Sequence, residues 1–206
     1  MKLFRYVVGI FLLLLGTGCA TLDKSECRKA DWEVIGLEDG ARGRPLSYLG
    51  RHREACAEHG VKPSLAQYRA GHATGVRQYC TPQNGFRQGR AGRRYEGVCP
   101  DDLEGSFLAG YETGRELHNL SADINRMQTE VSGMQDELDG LRQRQQNVEN
   151  LLVSGTVSAS VRQSLLDQFK RNQGNIAALE IGIHDTELEA ARLQGVYDAL
   201  DASHGY

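Results

Sequence analysis

Hydrophobic positions are most regularly spaced after residue 115. Apolar side chains there recur at alternating steps of three and four, interrupted by Gln145: Leu117, Leu120, Ile124, Met127, Val131, Met134, Leu138, Leu141 and Val148. A second run has the same spacing: Leu165, Phe169, Asn172, Ile176, Leu179, Ile183, Thr186, Ala190, Leu193, Tyr197 and Leu200. Because heptad spacing places these side chains on one helical face, the pattern predicts two long helices that pack as a coiled coil.

The segment 154–156, Ser-Gly-Thr, separates the two runs and predicts a tight turn. If the chain folds back there, residue i lies opposite roughly residue 313 − i, which sets one apolar run against the other. We therefore predict an antiparallel hairpin over residues 115–202, about 60 Å long at 1.5 Å per residue. A parallel dimer of each helix would stretch the short link over tens of ångströms. Asp101 or Asp102 is predicted to cap a helix that runs into the hairpin without a flexible linker.

The part of the chain before residue 115 is dense in glycine, and its hydrophobic periodicity is broken. An aromatic residue followed by two glycines recurs there: Tyr68-Gly71-Gly75, Phe86-Gly89-Gly92, Phe107-Gly110-Gly114 and, more loosely, Trp32-Gly36-Gly40. Glycines three or four residues apart share a helical face, where another backbone can approach closely while the aromatic ring covers the contact. We predict helices over 64–79 and 103–114 and irregular structure over 82–98. The alternative is a loop-rich domain whose glycines adopt positive φ.

The first eighteen residues have the three parts of an export signal. Lys2 and Arg5 form a charged start, an apolar stretch follows over 7–15, and small residues precede Cys19. Small residues followed by cysteine resemble the site cleaved by lipoprotein signal peptidase, so we predict a signal peptide over 1–18 and lipidation of Cys19, with a short tether over 19–26. The alternative is an ordinary signal peptide that leaves Cys19 as a free thiol. Because Ala20 replaces the Asp of retained lipoproteins, the prediction is a lipid anchor on the periplasmic face of the outer membrane.

Four cysteines follow Cys19: Cys27, Cys56, Cys80 and Cys99. An even number in an oxidising compartment predicts two disulfides, for which three connectivities are possible. Sequential pairing is favoured because short loops close more easily, although the other two pairings stay open. The predicted fold is thus mainly α, with a small disulfide-stapled, glycine-rich helical domain over 27–114 followed by the coiled-coil hairpin.

Charge is distributed unevenly between the two parts. Residues 41–100 carry eleven Lys and Arg against three Glu, whereas residues 101–206 carry eight basic against eighteen acidic residues. Export excludes nucleic acid as a partner of the basic part, which leaves anionic lipid, cell-wall polymer or the chain's own acidic half. A cluster of arginines is a candidate anion-binding patch: Arg87, Arg90, Arg93 and Arg94. The alternatives are a solvated face and internal pairing with Glu112 and Glu116.

Candidate chemistry is sparse. His52, Cys56 and His59 have the spacing of metal ligands on one helical face, but a bridged Cys56 offers no thiolate, so we predict no metal site and a His52 that lies on the surface or bonds a backbone carbonyl. Asp31 and Asp39 lie about two helical turns apart, and ion pairing of these acids with Arg42 and Arg44 is a simpler interpretation than a catalytic pair. No catalytic residue and no cofactor is predicted.

A further set of residues carries a family resemblance: Asp31-Trp32, Gly36, Asp39-Gly40, Gly43, His52, Cys56, Gly60, Tyr68, Gly71, Gly75, Tyr79-Cys80, Asn84-Gly85, Gly89, Gly92, Tyr95, Val98-Cys99-Pro100, Phe107, Tyr111 and Gly114. Over residues 27–118 the chain resembles a family of Gram-negative lipoproteins known as domain of unknown function 2799. The resemblance implies an exported, disulfide-bonded lipoprotein and brings no activity, cofactor or catalytic residue with it.

Two classes of function remain. The first is an adaptor or spacer protein of the cell envelope, in which the hairpin meets a protein partner or a second copy. The second is a small periplasmic enzyme or ligand-binding module within residues 27–118. The second requires a concave pocket lined by convergent polar groups, for which Asp31, Asp39 and His52 are the candidates.

Overall fold

The computed structural model describes residues 21–204, and this part of the chain is mainly helical, without a strand. The helices are α1 (Lys24–Lys29), α2 (Trp32–Ala41), a short 3-10 turn (Leu46–Tyr48), α3 (Leu49–Ala57), α4 (Leu65–Tyr79), α5 (Pro82–Arg90), α6 (Asp101–Val153) and α7 (Ala159–Ser203). The predicted mainly α fold class is confirmed. The described chain divides into two compact units, residues 21–114 and 115–204. The signal peptide and Cys19 lie outside the described residues.

Four helices of the first unit, α1, α2, α4 and α5, begin at side-chain caps. Asp23 and Glu26 form a capping box at α1, and Asp31 accepts hydrogen bonds from two backbone amides of α2. Thr81 caps α5, whose first residue is Pro82. The prediction of irregular structure over 82–98 is therefore wrong for 82–90, because the cap and the proline outweigh the turn signal of Asn84-Gly85. Residues 91–98 are irregular, as predicted.

Helices α2 and α4 pack backbone against backbone. A methyl group added at Gly36 would overlap the carbonyl oxygen of Tyr68, and one added at Gly71 would overlap that of Glu33. The opposing backbones are so close that only hydrogen fits between them at these positions. The predicted role of the spaced glycines, which is to admit a second helix backbone, is confirmed for this pair.

The same device recurs between α5 and the first turns of α6. A methyl group added at Gly85 would lie 3.1 Å from the carbonyl carbon of Phe107, and one at Gly110 would lie 3.0 Å from that of Pro82. The aromatic residues that begin the glycine units are buried, as expected: Trp32, Tyr68, Phe86 and Phe107. The predicted helix over 103–114 is present, as the first part of α6.

Two disulfides close the first unit in the sequential pattern that the short loops favour. Cys27 bonds to Cys56 and Cys80 to Cys99, with sequence separations of 29 and 19 residues. Each disulfide lies within an aromatic cluster, the first beside Trp32 and Tyr68 and the second beside Phe107. In a unit so poor in aliphatic residues, the disulfides and the rings form most of the core.

The second unit is an antiparallel pair formed by α7 and the part of α6 after residue 114. Arg162 donates to the carbonyl of Leu152 near the turn, and Arg142 Nη2 donates to Glu180 Oε1 at 2.8 Å further along. Gly182 faces the sulfur of Met134, close to the Leu179 that the fold-back register places opposite it. Every residue of the second predicted apolar run is buried or half-buried, which confirms the seam.

The ends of the long helices refine the prediction. Helix α6 is continuous from Asp101 to Val153, so the predicted absence of a linker is confirmed. Asp101 and Asp102 lie inside its first turn instead of capping it, and Asp102 forms a bidentate ion pair with Arg77. The chain reverses over 154–158, where Gly155 has φ +68°. Within residues 21–204, no helix is long and apolar enough to cross a membrane.

Candidate functional site

Three helices of the first unit bring polar side chains together around one buried carboxylate. Asp39 of α2 is 1% exposed, His52 of α3 is 3% exposed and Tyr68 of α4 is fully buried. The ring nitrogen Nε2 of His52 donates to Asp39 Oδ2 at 2.7 Å, and the Tyr68 hydroxyl donates to the same oxygen at 2.8 Å. Arg44 donates to Asp39 Oδ1 at 2.8 Å. Both oxygens of the carboxylate are therefore paired, as a buried charge requires.

The Nδ1 atom of His52 contacts Thr21, the first residue that the structure describes. A carboxylate can only accept, so the His52 proton lies on Nε2, and in the neutral ring Nδ1 is free to accept from the Thr21 hydroxyl, 2.9 Å away. Leu22 packs against the cluster of Cys27, Trp32, Cys56 and Tyr68. The chain is thus held against the unit from Thr21 onwards, and residues 24–26 already belong to α1.

The balance of burial and hydrogen bonding determines how these groups titrate. Burial by itself raises the pKa of Asp39, but the hydrogen bonds from His52, Tyr68 and Arg44 outweigh it and hold the pKa below its ordinary value. Burial, followed by the neighbouring carboxylate, raises the pKa of Tyr68 far above its ordinary value. Asp39 is thus ionised and Tyr68 protonated at neutral pH, which is the pairing that the hydrogen bonds require.

The structure corrects the predicted environment of His52. It lies neither on the surface nor against a backbone carbonyl, because it is four residues before the buried Cys56 on the same face of α3 and so points inward. Cys56 is in a disulfide and provides no thiolate. Among residues 21–204, no group of three or more His, Cys, Asp or Glu side chains is arranged to hold a metal ion.

The two aspartates have separate roles. Asp31 caps α2 through the amides of Glu33 and Val34, while Asp39 pairs with Arg44. The predicted ion pairing is confirmed for Asp39 and is wrong for Asp31. Arg42 pairs with Glu38 on the surface of α2. Sequence reasoning missed Tyr68 and Thr21 as polar partners, although the i, i+4 relation of His52 to a bridged cysteine could have indicated that His52 is buried.

The first unit contains the same arrangement twice. Arg44 bonds to the residue five positions before it, Asp39, and Arg93 likewise bonds to Gln88. His72 Nε2 donates to the carbonyl of Arg44, and the Tyr111 hydroxyl donates to the carbonyl of Arg93. Each helix of a repeat carries two glycines four residues apart: Gly36, Gly40, Gly71 and Gly75 correspond to Gly85, Gly89, Gly110 and Gly114.

The two repeats share their helix packing but differ in their buried polar residues. Gln88 and Phe107 occupy the positions of Asp39 and Tyr68, and no histidine lies between Arg93 and Phe107. The second repeat therefore packs its helices without a buried charge. The carboxylate, imidazole and phenol belong to the first repeat alone, which is also the repeat that holds Thr21.

The order hydroxyl, imidazole, carboxylate is the one used to activate a nucleophile. Here the imidazole and the carboxylate are enclosed, and the carboxylate is shared with Arg44 and Tyr68. Asp31 borders shallow surface depressions together with Val34, apart from the buried Asp39. Asp31, Asp39 and His52 thus do not converge on one pocket. The buried hydrogen bonds around Asp39 and His52 instead hold the segment that begins at Thr21.

The four arginines of the candidate anion-binding patch are all exposed but have different neighbours. Arg87 lies 3.4 Å from Asn84 Oδ1, Arg93 bonds to Gln88, and Arg94 lies 3.9 Å from Glu96. Arg90 lies over the ring of Phe86. Their role in binding anions stays a prediction.

The second unit has an unusual outer surface. Over residues 170–200, the positions of α7 that point away from the seam are Gly174, Ile181, Leu188 and Gly195, spaced by seven, and we call them the outer face of α7. Ile181 is 63% exposed and Leu188 is 64% exposed. The corresponding positions of α6 are Thr129, Asp136, Gln143 and Asn150, which are polar and exposed. One helix of the hairpin therefore presents an apolar surface and the other does not.

The fold is that of a disulfide-bridged, glycine-packed helical unit followed by a helical hairpin. Residues 31–116 match the family model described as Protein of unknown function (DUF2799). The predicted resemblance is confirmed over these residues, which comprise both glycine-packed repeats. No curated protein and no solved structure gives a significant match to the chain.

Proposed function

We propose that the protein is an interaction protein of the bacterial envelope, anchored through lipid on Cys19 to the periplasmic face of the outer membrane. In this proposal the first unit is held next to the anchor and the hairpin presents a binding surface to another protein. The export signal, the small residues before Cys19 and the two disulfides support the compartment. A chain fixed from Thr21 onwards would leave a single residue, Ala20, between the anchor and the folded unit.

The outer face of α7 is the observation that carries the interaction function. Positions opposite the seam of a coiled coil are ordinarily charged or polar because they meet water. Ile181 and Leu188 break that rule on α7 while the equivalent positions of α6 keep it. A surface of this kind is typical of protein contact sites. The rival function, an enzyme or ligand-binding module in the first unit, loses its candidate pocket because Asp39 and His52 are enclosed.

Site-specific photocrosslinking in intact cells tests the interaction. A photoreactive residue at Ile181 or Leu188 is expected to trap a protein in a discrete band, and probes along 131–172 map the extent of the contact. The matched control is the same residue at Thr129 or Gln143, on the outer positions of α6. Equal crosslinking at both faces, or none at either, would refute a specific docking surface.

The anchor is tested separately. Replacement of Cys19 by Ser is expected to abolish incorporation of labelled palmitate and to move the protein from the membrane fraction to the soluble periplasm. A Cys19→Ser protein that still fractionates with the outer membrane would show that lipid on Cys19 is not the anchor.

A further inference from the structure

The outer face of α7 has the form required for contact with a copy of itself. Its four positions read Gly174, Ile181, Leu188 and Gly195, so small residues flank large ones in both directions along the helix. An interface around a two-fold axis must be self-complementary, because the same patch supplies both sides. We propose that two chains dimerise through antiparallel contact of their α7 helices, with the two-fold axis at Leu188. This inference rests on the proposed interaction function and identifies the partner as a second copy.

Steric fit selects this register. With the axis at Leu188, Ile181 lies opposite Gly195 of the second copy, so that each large side chain meets a position without one. Leu188 packs on its own symmetry mate in the centre. Alternation of large and small residues across facing positions is what allows helices to interdigitate. A parallel pair would set Ile181 on Ile181 and Gly195 on Gly195, which leaves gaps at the glycines.

Charge supports the same register. Asp185 and Arg192 lie on one edge of the outer face, three positions before and four positions after Leu188, and both are exposed. In an antiparallel pair the same edges of the two helices meet, so Asp185 of each chain faces Arg192 of the other, twice by symmetry. Arg192 also forms a bidentate ion pair with Glu189 of its own helix, at 2.7 Å. A shallow depression lined by Asp185, Leu188 and Arg192 is present at the axis.

The glycines of the outer face are not packed against any part of the chain that the structure describes. A methyl group added at Gly174 or Gly195 would meet no atom within 4 Å, unlike the packed glycines of the first unit. A glycine within a helix costs about 1 kcal/mol relative to alanine. Close approach of a second helix provides a reason for this cost, and Ala178 and Ala191 on the flanks keep the approach open.

Cysteine crosslinking of the full chain tests the register. Leu188→Cys is expected to form a disulfide-linked dimer under mild oxidation, because the two cysteines would meet at the axis. Ile181→Cys is not, because the two copies of residue 181 would lie about 21 Å apart, fourteen residues along the helix. Ile181→Cys expressed together with Gly195→Cys is expected to crosslink. Gln143→Cys on α6 is the control for random collision.

A charge swap tests the pairing. Asp185→Arg alone and Arg192→Asp alone are each expected to weaken the dimer on the order of tenfold in sedimentation equilibrium, and the double variant is expected to recover it. Circular dichroism of each variant shows whether the hairpin still folds. Failure of the double variant to recover the dimer would contradict pairing of residues 185 and 192 across the axis.

The outcomes separate this inference from the proposed function. A discrete band at Leu188 that contains a different protein, with no homodimer from Leu188→Cys, would overturn the second copy and leave the interaction function intact. Absence of any band at the outer face would overturn both. Equal crosslinking of Leu188→Cys and Ile181→Cys would refute the proposed register.

Discussion

Substitution of Gly71 by Ala is a direct test of the backbone contact between α2 and α4. The added methyl group would lie 2.7 Å from the carbonyl carbon of Glu33 and 2.9 Å from the amide nitrogen of Leu37, and it would overlap the carbonyl oxygen of Glu33. Ordinary contacts between carbon atoms are about 3.5–4.0 Å. The two helices would have to separate by roughly 1 Å, because all three opposing atoms belong to backbone and cannot rotate away.

The expected change in the free energy of unfolding is the difference between two opposing effects. Alanine in place of a helical glycine stabilises the helix by about 1 kcal/mol, whereas overpacking of a close contact costs typically about 1–3 kcal/mol and sometimes more. Because the overlap in this case is with backbone atoms, the cost lies at the upper end of that range. We therefore expect a net loss of about 2 kcal/mol in the free energy of unfolding of the first unit. A unit of this size would then melt roughly 8–16 °C lower.

Trp32 makes the assay specific. It is the one tryptophan of the chain and is buried against the Cys27–Cys56 cluster, so its fluorescence during urea unfolding reports the first unit and not the hairpin. The matched control is Gly105→Ala, in the part of α6 that belongs to the same unit, where an added methyl group meets nothing within 4 Å. This variant should be more stable by up to about 1 kcal/mol. Equal midpoints for the two variants would contradict the packing of α2 on α4.

Three further predictions concern the disulfides, the buried carboxylate and the seam. Joint replacement of Cys80 and Cys99 by Ser should lower the stability of the first unit by about 3 kcal/mol in urea unfolding; a loss below 1 kcal/mol would show that the bridge does not constrain the unfolded chain. Because the pKa of Asp39 is lower in the folded state, its contribution is present above about pH 4 and is lost as pH falls through the folded pKa. Asp39→Asn should therefore make the free energy of unfolding depend less on pH in the acid range. An unchanged pH dependence would contradict the ion pairing. Gln145 and Asn172 are buried in the seam, and Gln145 Oε1 and Asn172 Nδ2 are unpaired. Replacing both residues by Leu should therefore raise the melting temperature of the hairpin and loosen its register, as measured by spin-label distances across the seam. A lower melting temperature would show that the polar pair stabilises the hairpin.

The spacing of residues along the chain was sufficient to predict the helices of the second unit and their inward faces. Heptad spacing, a glycine at the reversal and the absence of proline in both arms specify two helices and their inward faces, because helix periodicity decides which side chains share a face. The buried positions Leu117, Ile124, Val131 and Leu138 are the predicted ones. The contact of Met134 with Gly182 lies three residues beyond the predicted partner, because the exact register depends on how side chains of unequal size interlock.

The first unit shows where local pattern fails. Asn84-Gly85 is a turn signal in isolation, yet Gly85 lies in helix α5 because its missing side chain is needed against the backbone of Phe107. The spacing of the glycines indicated that some backbone approaches them, but it carries no information about which one. Only the folded structure shows that α2 pairs with α4 and that α5 pairs with α6.

The sequence by itself determined the helical class, the seams of the hairpin and the glycine faces, and it favoured the sequential disulfides, because each depends on spacing along one helix or on the closure of a short loop. Only the tertiary structure decided that His52, Asp39, Tyr68 and Thr21 form one buried network, since they come from four separate segments and meet only when α2, α3 and α4 pack. It likewise decided that Ile181 and Leu188 are left uncovered, because exposure is a property of what packs against a helix and not of the helix alone.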